Sequence, residues 1–167
     1  FFPMVDDLPS ELVATVGCRA CPTVTATPEA VKAAFTKEGD VFREHGIQFL
    51  DTFLNPAHPR MFERQMFQQF RDLLGLSPEE NARAVAQGYA ALERYRRELR
   101  RMARETLDRL EREDRIGIVL LGRPYHNDPG INHGLPEELQ KLGYPIFTQD
   151  TLPTDEDILE RLFGEEV

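Results

Sequence analysis

Apolar positions divide the chain into short continuous runs and longer helical stripes. Ile116 to Leu121 is a six-position apolar run rich in β-branched residues, the pattern of a strand buried on both faces of a parallel sheet. Gly122 and Pro124 end it abruptly. Beyond a loop, Leu135, Leu139 and Leu142 recur at helical spacing within Gly134 to Leu142 and are expected to face inward, with Gly143 as the stop. Tyr144 to Thr148 reads as a second strand, so the segment predicts a βαβ unit with parallel strands. Thr154 is the expected cap of a last helix, Asp155 to Phe163, which carries Ile158, Leu159 and Leu162.

The first half is punctuated in the same way. Phe1 to Val5 reads as the tail of a strand, and Ile47 to Leu54 reads as another, closed by Asn55-Pro56. Thr27 as N-cap, with Pro28 and Glu29 behind it, predicts a helix over Glu29 to Phe35. In Arg60 to Leu74 a stripe of Met61, Phe62, Met66, Phe67, Phe70, Leu73 and Leu74 is expected to be core, with Gly75 as C-cap. Ser77-Pro78-Glu79-Glu80 is a capping box with proline at the first helical position. No breaker but Gly88 follows until Asp114, so one helix of about 35 residues, roughly 50 Å long, is predicted. It is too long for one small lobe. The expected fold class is therefore α/β, with a first lobe over residues 1–76, a connecting helix over 77–114 and the start of a second lobe over 115–167.

Composition narrows the function classes. A chain of 167 residues that is 41% hydrophobic can bury a core as one domain or as two lobes. Its net charge of −9 argues against a general role on nucleic acid or on an acidic membrane. No apolar stretch approaches a membrane span and no basic-then-apolar leader is present, so a soluble cytoplasmic protein is expected. Phe1 in place of an initiator Met, and Val167 directly after a helix, read as the ends of a piece of something longer.

The strongest candidate chemistry follows the Ile116 to Leu121 run. Arg123, Tyr125, His126, Asn127, Asp128, Asn132 and His133 crowd into eleven positions, where open α/β sheets hold their ligands. Arg123 offers a planar fork for phosphate or carboxylate and His126 can exchange a proton near neutral pH, which makes them the catalytic candidates. Tyr125, Asp128, Asn132 and His133 join them as candidate substrate-binding residues. The competing account is that Arg123 pairs with Asp128 or Asp150 and that the histidines brace the loop. Cys18 and Cys21 form C-x-x-C followed by Pro22. They can be buried thiols, metal or cluster ligands, or a redox pair. A thioredoxin-like site is disfavoured because Cys21 lies six residues before Thr27, the expected helix start. Zinc would need two further ligands that no second motif supplies. No Walker loop, G-x-G-x-x-G or G-x-S-x-G occurs. Arg94, Arg96, Arg97, Arg100, Arg101 and Arg104 crowd the long helix, with Glu93 placed to pair Arg97 and Glu105 to pair Arg109. They form either a solvated face or a dock for an acidic partner or polyphosphate.

The combination of Phe1-Phe2-Pro3, Cys21-Pro22-Thr23-Val24 ahead of Pro28-Glu29-Ala30-Val31-Lys32, and the block from Gly122 through Pro124-Tyr125-His126-Asn127-Asp128-Pro129-Gly130 to Gly134 resembles the activase-related proteins of the 2-hydroxyacyl-CoA dehydratase system. The resemblance runs on through Thr148-Gln149-Asp150-Thr151-Leu152. It implies flavodoxin-like or Rossmann-like parallel-sheet lobes, incomplete here, and an iron–sulfur redox protein acting on acyl-CoA. In that system an ATP-dependent activator passes one electron to a dehydratase-like component. Cys21, matching the family's Cys-Pro, becomes the candidate metal ligand of a 4Fe-4S cluster, with Cys18 as a neighbouring or substitute thiol. An activator domain or subunit and an acyl-CoA ligand are the implied partners. The alternative is a non-catalytic scaffold that docks an activator through the arginine-rich helix.

Overall fold

The computed structural model describes residues 4–5, 22–122 and 124–164, with the side chains of 4, 5, 124, 125 and 161–163 left undescribed. By their contacts the described residues up to Gly88 form one compact unit and those from Tyr89 onward a second. Each unit has its own small parallel sheet.

In the first unit, β1 (Met4–Val5) pairs in parallel with β2 (Phe53–Leu54), Met4 opposite Phe53 and Val5 opposite Leu54. The strand expected over Ile47 to Leu54 thus contracts to its last two residues. Helix α1 (Pro22–Thr25) opens directly after Cys21 and is followed by α2 (Thr27–Thr36). Thr27 is consequently no N-cap: its hydroxyl donates to the Thr23 carbonyl at 2.9 Å. The spacing argument against a thioredoxin-like comparison falls with it, because a helical turn does begin at Pro22. Cys18 and Cys21 themselves lie outside the described residues. A short α3 (Val41–Glu44) is capped by Asp40, whose carboxylate accepts from the Arg43 amide at 3.1 Å. Phe35, Phe42 and Phe49 stack in sequence with ring centroids 5.8 and 4.7 Å apart. Lys32 donates to Asp51 at 2.6 Å, tying α2 to the segment that enters β2. The hydrogen bond from Lys32 holds the Asp51 carboxyl below its ordinary value.

Helix α4 (Pro59–Leu74) ends at Gly75 with φ 64°, a left-handed C-cap that glycine adopts without penalty. Its Met and Phe stripe does not form an enclosed core: none of its residues is buried, and Met61, Leu73 and Leu74 are exposed. The Ser77 box is built as read, the Ser77 amide donating to Glu80 Oε2 at 2.9 Å and the Glu80 amide to Ser77 Oγ at 3.2 Å. It starts α5 (Pro78–Arg112), which runs unbroken through Gly88.

In the second unit, β3 (Ile118–Leu120) pairs in parallel with β4 (Ile146–Thr148), so the βαβ reading holds with shorter strands. Ala103 and Leu110 of α5 and Phe147 of β4 form the buried cluster, flanked by Leu107 and Leu152. Gly117 makes this approach possible: a Cβ there would stand 2.8 Å from Leu110 Cδ1 and 2.9 Å from Phe147 Cε2. The strand is not buried on both faces as its apolar run implied. Ile116 and Leu121 are each 72% exposed and Val119 43%, because among the described residues β3 has one neighbouring strand, β4. Two strands per sheet also means that the described residues do not complete flavodoxin-like lobes.

Helix α6 (Leu135–Lys141) lies between the strands in sequence, but Leu135 and Leu142 are exposed rather than inward. Helix α7 (Glu156–Phe163) starts from Asp155, one residue later than the expected Thr154 cap. Arg104 of α5 binds it, donating to Asp157 at 2.8 and 3.1 Å and to Asp155 at 3.4 Å. The Arg104 hydrogen bonds hold the Asp157 carboxyl below its ordinary value. Arg101 is engaged by Glu98 and Glu105. Glu105 therefore serves Arg101, not Arg109 as the spacing suggested.

Candidate functional site

A cleft of about 450 Å³ opens at the carboxyl ends of β3 and β4, the position where open parallel sheets hold ligands. Alternation along the strands builds one wall. Leu120 on β3 and both Ile146 and Thr148 on β4 line it, while Phe147 points to the opposite face and into the core. Leu121, Leu135, Pro129 and Pro136 extend the apolar surface. His126, Asn127, Asn132, Glu137, Gln140 and Thr151 supply the polar groups.

The loop between β3 and α6 has regular structure that its sequence concealed. Pro124–Asn127 is a turn of 3₁₀ helix. Asp128 follows as the centre of a turn, its carboxylate accepting from the Gly130 amide at 2.8 Å and its carbonyl from the Ile131 and Asn132 amides at 3.0 Å. Asn132 Oδ1 in turn accepts from the Gly134 amide at 2.9 Å. His133 sits at φ 56° and Gly134 at φ 72°, the reversal that leads into α6. A second clasp joins the two strand-end loops: Asn127 Nδ2 donates to Asp150 Oδ2 at 3.0 Å. Beyond β4, Thr151 Oγ1 receives the Thr148 amide at 2.8 Å and lies 3.2 Å from Thr148 Oγ1.

Of the residues singled out by sequence, His126, Asn127 and Asn132 line the cleft. Asp128 is taken up by its own turn, and His133 is exposed among the residues that shape the loop rather than the lining. Arg123 and the Tyr125 side chain lie outside the described residues, so neither an Arg123 pairing with Asp128 or Asp150 nor a Tyr125 contact with ligand is placed. Gly122 brings His126 close to the strand end: a Cβ on Gly122 would be 3.2 Å from His126 Nδ1. Thr148, Thr151, Glu137 and Gln140 were not anticipated. The alternation of strand β4 was the signal that could have nominated Thr148.

The sequence profile of a family described as a CoA enzyme activase uncharacterised domain matches residues 1–152. The chain belongs to that family. This agrees with the resemblance to activase-related proteins of the 2-hydroxyacyl-CoA dehydratase system carried by the Cys-Pro and Gly122 to Gly134 blocks. No curated protein and no solved structure matches the chain. Within this activase-related chain the described residues contain no group of three or more His, Cys, Asp and Glu arranged to hold a metal ion. Nor is any described helix long and apolar enough to cross a membrane.

Proposed function

We propose that this activase-related chain handles an acyl-CoA within an iron–sulfur redox system of the 2-hydroxyacyl-CoA dehydratase type, and that the cleft at the ends of β3 and β4 receives the ligand. The observation that carries this reading is the union of His126, Asn127, Asn132, Thr148 and Thr151 with an apolar wall in one cleft. His126 would bind the ligand and hold or release a proton. The Asn127 to Asp150 clasp keeps the two loops in register, and the Thr148 to Thr151 turn fixes the far rim. The partners in this reading are an ATP-dependent activator domain or subunit and a dehydratase-like component, with the two units of this chain as portions of flavodoxin-like lobes and the cytoplasm as its compartment.

The described residues do not by themselves fit a 4Fe-4S cluster. Such a cluster takes four cysteine thiolates, and the chain has two cysteines. Cys21 is therefore proposed as one contributor to a shared cluster, with Cys18 secondary. Anaerobic purification followed by iron and sulfide analysis tests this part. Cys21→Ser is expected to remove most of the iron and its visible absorbance, while Cys18→Ser removes less. Equal iron in Cys21→Ser and wild type would end the assignment. Calorimetric titration with a 2-hydroxyacyl-CoA tests the cleft, and an absence of binding would refute its role.

The scaffold reading draws less support. Arg101 and Arg104, two of the six arginines on which docking would depend, are engaged by acidic residues of the same chain.

A further inference from the structure

We infer that the cleft takes the uncharged acyl-thioester end of an acyl-CoA and repels its phosphates. This rests on the acyl-CoA reading above and narrows it to one portion of the molecule.

The lining decides the matter. Leu120, Leu121, Leu135 and Ile146 offer a hydrocarbon surface to an acyl chain and to the thioester sulfur, and Asn127, Asn132 and Thr148 are neutral hydrogen-bonding groups. No Lys or Arg is among the described lining residues, whereas Glu137 is. Asp128 and Asp150 stand on the two loops that frame the opening, and among the described residues each accepts from a neutral donor, Asp128 from the Gly130 amide and Asp150 from Asn127. Among the described residues, Glu137, Asp128 and Asp150 make the opening net negative. The start of α6 offers no compensation. Its first turn already carries Glu137 and Glu138, which answer the positive end of the helix dipole. Carboxylates on one loop cluster act together within a Debye length of about 8–10 Å, so a diphosphate at the opening meets repulsion. An uncharged thioester meets none, and its carbonyl oxygen needs only a neutral donor such as an asparagine amide.

Nuclear magnetic resonance titration of the whole chain with three probes tests this. The probes are a 2-hydroxyacyl-CoA, the corresponding acyl thioester of N-acetylcysteamine, and ADP. The truncated thioester is expected to shift the amides of Leu121, Thr148 and Thr151 and to bind within about tenfold of the whole CoA ester. ADP is expected to shift none of these amides at millimolar concentration. Binding of the CoA ester and ADP without the truncated thioester would overturn the inference and leave the acyl-CoA reading standing. Binding of none of the three would remove both.

Discussion

Replacing Phe147 with alanine is expected to cost the protein about 3–5 kcal/mol of stability, the range for emptying a buried aromatic position. Phe147 is 4% exposed and shares its cluster with Leu110 and Ala103, so it joins β4 to α5. The cavity cannot close easily, because the facing position is Gly117, which has no side chain to move into it. Overfilling the same contact should also harm. Gly117→Ala places a methyl under 3 Å from both Leu110 and Phe147, and overpacking of this kind costs about 1–3 kcal/mol. Urea denaturation of the two variants measures both effects. A loss below about 1 kcal/mol for Phe147→Ala, an ordinary value for a position of no special importance, would show that this cluster does not hold the second unit together.

The second large effect concerns binding. Leu121→Glu and His126→Ala are each expected to weaken 2-hydroxyacyl-CoA binding at least tenfold, about 1.4 kcal/mol or more, while the melting temperature stays near that of the wild type. The reasons differ. Leu121 is 72% exposed and forms apolar lining, so a carboxylate there costs the fold little but sets a charge against the acyl chain. His126 is exposed and removes a polar group from the cleft when truncated. The bracing account of the loop makes the opposite forecast for His126→Ala, namely a lower melting temperature with binding intact in the folded fraction. Calorimetry of binding and of unfolding on the same two variants separates the accounts.

Much of this arrangement was legible in the residues. The Ser77 box, the left-handed Gly75 and the uninterrupted helix to Arg112 follow from local chemistry, because capping hydrogen bonds and a glycine φ are settled within one turn. The parallel pairing of β3 with β4 followed from the order strand, loop, helix, strand. Strand lengths did not follow. An apolar run such as Ile116 to Leu121 records affinity for a sheet, but pairing ends where the neighbouring strand ends, and that depends on distant residues. Burial was misread for the same reason at Leu135, Leu142 and the Met and Phe stripe of α4, whose spacing fixes a face without fixing what covers it. In the loop, the Asp128 turn is settled by hydrogen bonds to near neighbours, whereas the Asn127 to Asp150 clasp joins residues 23 positions apart and had no local signature. Gln149 was likewise unforeseen. It is 5% exposed, and among the described residues neither atom of its amide has a hydrogen-bond partner.

Among the described residues, β3 has a strand neighbour on one side only. Flanked by exposed Ile116, Val119 and Leu121, such an edge is a template on which another chain can add a strand. At neutral pH the net charge of −9 keeps copies apart. Acidification toward the isoelectric point near 5 lowers the net negative charge and withdraws that repulsion, so mildly acidic buffers favour self-association of this chain. Purification and crystallisation are best kept on the alkaline side of neutrality, and a lysine introduced at Val119 would act as a gatekeeper against aggregation.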